Sequence, residues 1–220
     1  MHYANLLSLT RRHPSAILLL VQLAGLLLYP LLETTPGGPV ALGAFGVAVL
    51  VITTGMVDRT PGHTWISACI ALPAIVLLVL QSTMDMPGLL PWSAALEAVF
   101  YFYAAGSLIA YMMKDMRATA DELFAAGATF TLLAWGFTHL FVLVQEWQPG
   151  SFAAAVDPQA PRTWTELMFL SFALLSSTGI GDVIPIKPLA RGISTLEMFA
   201  GVMYLAAVVS RLIGLTLLRR

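Results

Sequence analysis

The sequence predicts an all-α membrane protein with six transmembrane helices and a short re-entrant helix and loop between the fifth and the sixth. Three observations predict it. Of the 220 residues, 58% are hydrophobic and 10% charged, whereas a soluble domain has about 45–50% apolar and about 25% charged residues. Six apolar runs approach the roughly 20 residues needed to cross a bilayer, and each ends at proline, glycine or charge. Between the last two runs lies a capped apolar stretch too short to cross.

The first span is expected over 15–32, where Pro30 and the polar, proline-rich stretch 33–39 end it. The second covers 40–57 and stops at Asp58-Arg59-Thr60-Pro61-Gly62. The third, 65–80, contains Pro73, which membrane helices tolerate when neighbours satisfy the freed carbonyl. The fourth covers 91–113 and the fifth 123–147. Residues 148–162, with Pro149, Gly150, Pro158 and Pro161, read as an exposed turret, and the sixth span covers 189–218. Residues 1–117 form a four-span unit and 118–220 a second unit.

Six spans put both termini on one side. Arg11, Arg12, Arg59, Lys114, Arg117, Arg211, Arg219 and Arg220 then share one face, and Arg162, Lys187 and Arg191 the other. The basic excess predicts cytoplasmic termini and places 148–190 on the extracytoplasmic side. Thr163-Trp164-Thr165-Glu166 fits a capping box, starting a helix that runs through 167–175. Such a helix can enter a membrane without crossing it if protein or water surrounds it. Its C-terminal end carries partial negative charge, which favours a cation.

That helix leads straight into Ser176-Ser177-Thr178-Gly179-Ile180-Gly181-Asp182. Alternating glycines allow successive dihedrals of opposite sign, and rings of backbone carbonyls from several subunits can replace an ion's water. The stretch resembles the selectivity filter of the tetrameric potassium-channel family, Thr-Val-Gly-Tyr-Gly-Asp. Ser177 stands for the Thr, Thr178 for the Val, Gly179 and Gly181 for the glycines, Ile180 for the Tyr and Asp182 for the Asp. The resemblance covers 124–218. It implies a homotetrameric pore with a pore helix, K+ held by the carbonyls of Ser177, Thr178, Gly179 and Ile180 and by the Ser177 hydroxyl, and Asp182 at the outer mouth. It also implies a bacterial inner-membrane protein among lipids, needing no cofactor beyond K+ in the filter. Ile180 lacks the bracing phenol, so a non-selective cation channel is the alternative within this fold.

In the sixth span, Gly201 and Gly214 are candidate hinges, Gly201 equally a site of close helix packing. Glu197, one turn earlier, is expected to support the back of the pore helix rather than to act as a protonatable group. Arg211 is expected to snorkel to the interface. Glu97 and His139 are the other intramembrane polar groups, His139 read as a packing residue and Glu97 as partly hydrated. Trp135, Phe137, Phe141 and Trp147 read as packing and interface anchors.

The fourth span carries no Arg or Lys over 91–113, so voltage sensing by spaced arginines is not expected. A net charge of -1 gives no signal for nucleic acid. Cys69, the one cysteine, excludes an internal disulfide and reads as a small buried hydrophobe. No cleavage site follows the first apolar run convincingly, and the sequence as given leaves no room for a sizeable cytoplasmic ligand-binding domain after 220. An enzyme or carrier is the alternative from another class. His139, Glu97 and Glu197 lack metal-ligand spacing, and related halves with broken helices are not evident.

Overall fold

The computed structural model describes residues 14–35, 37–57, 64–84, 86–114 and 119–217. Among them, six long helices and one short one run in the order α1 (Pro14–Leu32), α2 (Gly38–Val57), α3 (Thr64–Met84), α4 (Leu90–Met112), α5 (Ala120–Trp147), α6 (Trp164–Leu175) and α7 (Pro188–Leu217). A short antiparallel pair joins β1 (Phe152–Ala154) to β2 (Val183–Pro185), with Ala153 opposite Ile184. Five of the helices are long and apolar enough to cross a membrane, and α3 has a slightly shorter apolar section, Trp65–Gln81. The chain is a membrane protein.

The helix ends follow local chemistry. Pro91 sits in the first turn of α4, where its missing N–H costs nothing. Thr119 caps α5 by accepting the Glu122 N–H, and Asp121 and Glu122 fill the first turn, complementing the helix dipole. Pro30 lies inside α1, one turn short of where the chain actually breaks.

Helices α1 to α5 run up and down, so alternate ends meet. At one end Asp121 accepts hydrogen bonds from the Ser15 N–H (3.1 Å), the Ser15 hydroxyl (2.8 Å) and the Tyr111 hydroxyl (3.3 Å). This clasp ties the start of α1, the end of α4 and the start of α5. The most extensive packing is between α4 and α5. One core cluster spans α1 to α5 around Tyr101 and Trp135, whose rings meet edge to face at 5.7 Å. A second gathers Phe141, Phe152, Leu167, Val183 and Ala190 from α5, β1, α6, β2 and α7.

Two expectations are corrected. Residues 155–161 are exposed, but Ser151, Phe152, Ala154 and Arg162 are buried, so 148–162 is not simply an exposed turret. The Arg162 guanidinium donates to the carbonyls of Val156, Asp157 and Ala160 and to Glu166, and the Gln145 side chain clamps the Arg162 backbone (2.7 and 2.9 Å). The loop is wound around one cation because its backbone acceptors have few other donors. Cys69 is exposed rather than buried; it lies on the outward face of α3, where an apolar thiol is at little cost. Arg11, Arg12, Arg59, Arg117, Arg219 and Arg220 lie outside the described residues.

Candidate functional site

The site is built from α6 upward. Its capping box is complete: the Glu166 N–H donates to Thr163 Oγ1 (3.2 Å), and the Thr163 N–H donates to Glu166 Oε2 (2.8 Å). Such a box satisfies two amides that a helix start otherwise leaves free. The far end is closed as carefully. The Ser177 N–H donates to the Leu174 carbonyl (3.0 Å) and the Thr178 N–H to the Ala173 carbonyl (3.1 Å), with Gly179 N–H also reaching Ala173 (3.1 Å). This is a Schellman termination, which needs a left-handed residue just past the cap. Ser177 fills that place with φ 59°, where glycine is the usual occupant, at a cost of about 1–2 kcal/mol.

Beyond it the backbone alternates. Ser177 and Gly179 have positive φ (59° and 65°), whereas Thr178, Ile180 and Gly181 do not. The N–H groups of 177–179 turn back to the helix. Among the described residues no hydrogen bond reaches the carbonyls of Ser177, Thr178, Gly179 or Ile180. Side chains of Ser176 and Thr178 also turn back, donating to the Phe172 (2.6 Å) and Ala173 (3.3 Å) carbonyls. Residues 177–182 are all exposed. Asp182 makes no hydrogen bond among the described residues. A Cβ on Gly179 or Gly181 would meet nothing within 4 Å, so within one chain only the φ of Gly179 calls for glycine.

The segment is pinned at its exit by β2. Val183 is buried, and the Ile186 N–H donates to the Ser151 carbonyl (2.8 Å). An exposed stretch is therefore held between a capped helix and a paired strand.

Behind α6, α7 makes its closest approach. A Cβ on Gly201 would lie 2.1 Å from the Leu175 carbonyl oxygen and 2.9 Å from its Cα, so only glycine fits against the last turn of α6. Gly214 is different: it is exposed, and a Cβ there would meet nothing within 4 Å. Glu197 is wholly buried. Its Oε1 hydrogen-bonds to the Ser171 hydroxyl, and Ser171 donates to the Ala134 carbonyl (2.8 Å). One hydroxyl hydrogen cannot serve two acceptors. A carboxylic acid at 197 satisfies both contacts, whereas a carboxylate competes with Ala134. This chain joins α7, α6 and α5 at one point behind the exposed segment.

Three polar partnerships were not foreseen. Glu97 on α4 and His139 on α5 meet at 3.3 Å (Oε2 to Nε2), both buried, and the imidazole stacks on Tyr101 at 5.5 Å. Arg211 has a partner within the chain: it reaches Glu122, a mostly buried acid at the start of α5 (3.4 Å). Asp121 forms the clasp already described. Each acid within an apolar stretch signalled a need for a partner, but partners lying tens of residues away in sequence leave no spacing to read.

Residues 122–216 match a family model described as "Ion channel". No curated protein and no solved structure matches the chain. The matched segment holds α6, the exposed stretch and α7 together with α5. The match supports an ion channel, in which ions pass the membrane passively.

Proposed function

We propose that the chain is a potassium-selective channel, four copies of which surround one pore, rather than an enzyme or a carrier. The observation that carries this is the 176–182 segment, held at both ends, with alternating φ and with the carbonyls of 177–180 free of hydrogen bonds. Four such strands would present rings of carbonyls that replace an ion's water, with K+ in the filter and the Ser177 hydroxyl at the inner site. On this reading α6 is a re-entrant pore helix, its negative end aimed at the ion path. Residues 118–220 are the pore domain and 1–117 a four-span unit without gating arginines. All six long helices then cross a bacterial inner membrane, surrounded by lipid, with both termini cytoplasmic.

Within this reading Glu197 is a support. It fixes the pore helix to α7 through Ser171, and Asp182 stands at the outer mouth. Close packing accounts for Gly201, where a Cβ would lie 2.1 Å from the Leu175 carbonyl oxygen; the unencumbered Gly214 is the better hinge candidate.

The test is the reversal potential across a reconstituted bilayer with potassium on one side and sodium on the other. Reversal near the potassium equilibrium value is expected. Reversal near zero with robust current would make the protein a non-selective cation channel, with Ile180 in place of the family tyrosine as the cause. Gly179→Ala, which places a side chain at φ 65°, is expected to abolish current while membrane insertion persists; normal current in that variant removes the filter assignment.

A further inference from the structure

A cavity of about 270 Å³ lies at one end of the α1–α5 bundle, against the start of α6. Its position follows from the topology: Tyr29 ends α1, Gln81 lies near the end of α3, Ser93 and Glu97 open α4, and Trp164 is the first residue of α6. The walls are mostly apolar, with Leu42, Leu78 and Val142 among them. The polar groups collect together. That combination, a mostly apolar cleft with a few convergent polar atoms, is the usual form of a small-molecule site.

The hydrogen-bond directions decide the chemistry. The Ser93 hydroxyl donates to the Leu90 carbonyl (3.1 Å), so the Gln81 amide must donate to Ser93 Oγ (2.8 Å). That fixes the amide and leaves its carbonyl oxygen as an acceptor. Glu97 is buried and meets His139 through one oxygen. Neither Lys nor Arg lines the cavity among the described residues. The rings of Tyr29 and Trp164 stack with centroids 3.9 Å apart and form an aromatic wall. Acceptors and an acid beside aromatic faces suit a cation that donates hydrogen bonds.

We propose that this cavity binds a small primary amine in its ammonium form, the charged head against Glu97 and Gln81, and the hydrocarbon body against the leucine-lined wall. The volume sets the size, just below the range of about 300–1,000 Å³ typical of drug-sized sites. Binding here needs neither conduction nor tetramer assembly, so it stands apart from the pore reading.

The probe is phenethylamine, titrated at neutral pH against the purified full-length protein in detergent and followed by tryptophan fluorescence, which Trp164 in the wall should report. The matched neutral compound is 2-phenylethanol. Saturable binding of the amine is expected, at least about tenfold tighter than the alcohol. Glu97→Gln is expected to weaken the amine at least about tenfold, and Glu197→Gln, whose carboxyl lies on α7 behind α6 and outside this cavity, to leave it unchanged. If Glu97→Gln does not fold, Gln81→Leu serves instead, with a loss of about threefold or more. Equal affinity for amine and alcohol, indifference to both cavity variants, or no saturable binding would each overturn the assignment.

Discussion

Helices α5 and α7 are alike in composition and nearly alike in length, 28 and 30 residues, yet the fold treats them differently. Helix α5 is buried on almost every face, with Ala128, Leu132, Trp135, Thr138 and Phe141 all enclosed. Helix α7 buries one narrow stripe, Ala190, Ser194, Glu197, Gly201 and Tyr204, and leaves Leu196, Phe199, Val202, Met203 and Val209 exposed. The stripe has the alternating four- and three-residue spacing of a helix lying on one neighbour. A helix apolar all round but packed on one side meets either lipid or further protein elsewhere. On the proposed reading, α7's open faces are where the other subunits and the ion path belong.

The comparison can be broken at the stripe. The largest effect is expected for Gly201→Ala: a methyl 2.1 Å from a backbone oxygen cannot be relieved by a rotamer change, and the loss should be about 3 kcal/mol or more. Gly214→Ala, with open space around it, should be neutral or raise stability by up to about 1 kcal/mol. Thermal unfolding of the two variants checks both; a stable Gly201→Ala protein with altered gating would restore the hinge reading.

Next come Glu197 of the stripe and its partner Ser171 on α6. Ser171→Ala should cost about 1–3 kcal/mol, because it leaves the buried Glu197 without its partner. Glu197→Gln should cost less, since an amide can donate to Ser171 while Ser171 keeps its bond to Ala134. If both variants unfold at the wild-type temperature, the chain of hydrogen bonds does not hold α7 to α6. At the start of α5, Asp121→Asn should cost about 1–2 kcal/mol by weakening the bonds from Ser15 and Tyr111, measurable by the same unfolding. Arg211 stands at the end of the stripe. Arg211→Met leaves the mostly buried Glu122 without this contact and should lower stability, and its informative readout is open probability, which changes if the contact with Glu122 holds the closed or the open state.

The capping box at Thr163 and Glu166 was legible because it is local chemistry four residues long. The helix boundaries were legible for the same reason, within a few residues. The contacts that give Glu97, Glu197, Arg211 and Asp121 their partners were not, since each joins residues brought together only by helix packing. Ser177 shows the boundary well. Its hydroxyl and its place before Gly179 could be read directly, but its left-handed φ could not, because a serine there is expected to prefer other conformations.

Sequence alone determined that this chain lives in a membrane, where its long helices begin and end to within a few residues, and that a capped short helix leads into the 176–182 stretch. Those follow from composition, hydrogen-bond capping and the length of a bilayer, all properties of neighbouring residues. Tertiary structure alone decided that Gly201 is a contact, that Glu197 reaches α6 through Ser171, that Glu97 meets His139 beside a cavity, and that Arg162 organises its loop. Those depend on which helix faces meet. Apolar helices with weak amphipathicity carry little information on their facing side, so that choice is made by small residues and buried polar pairs acting across the bundle.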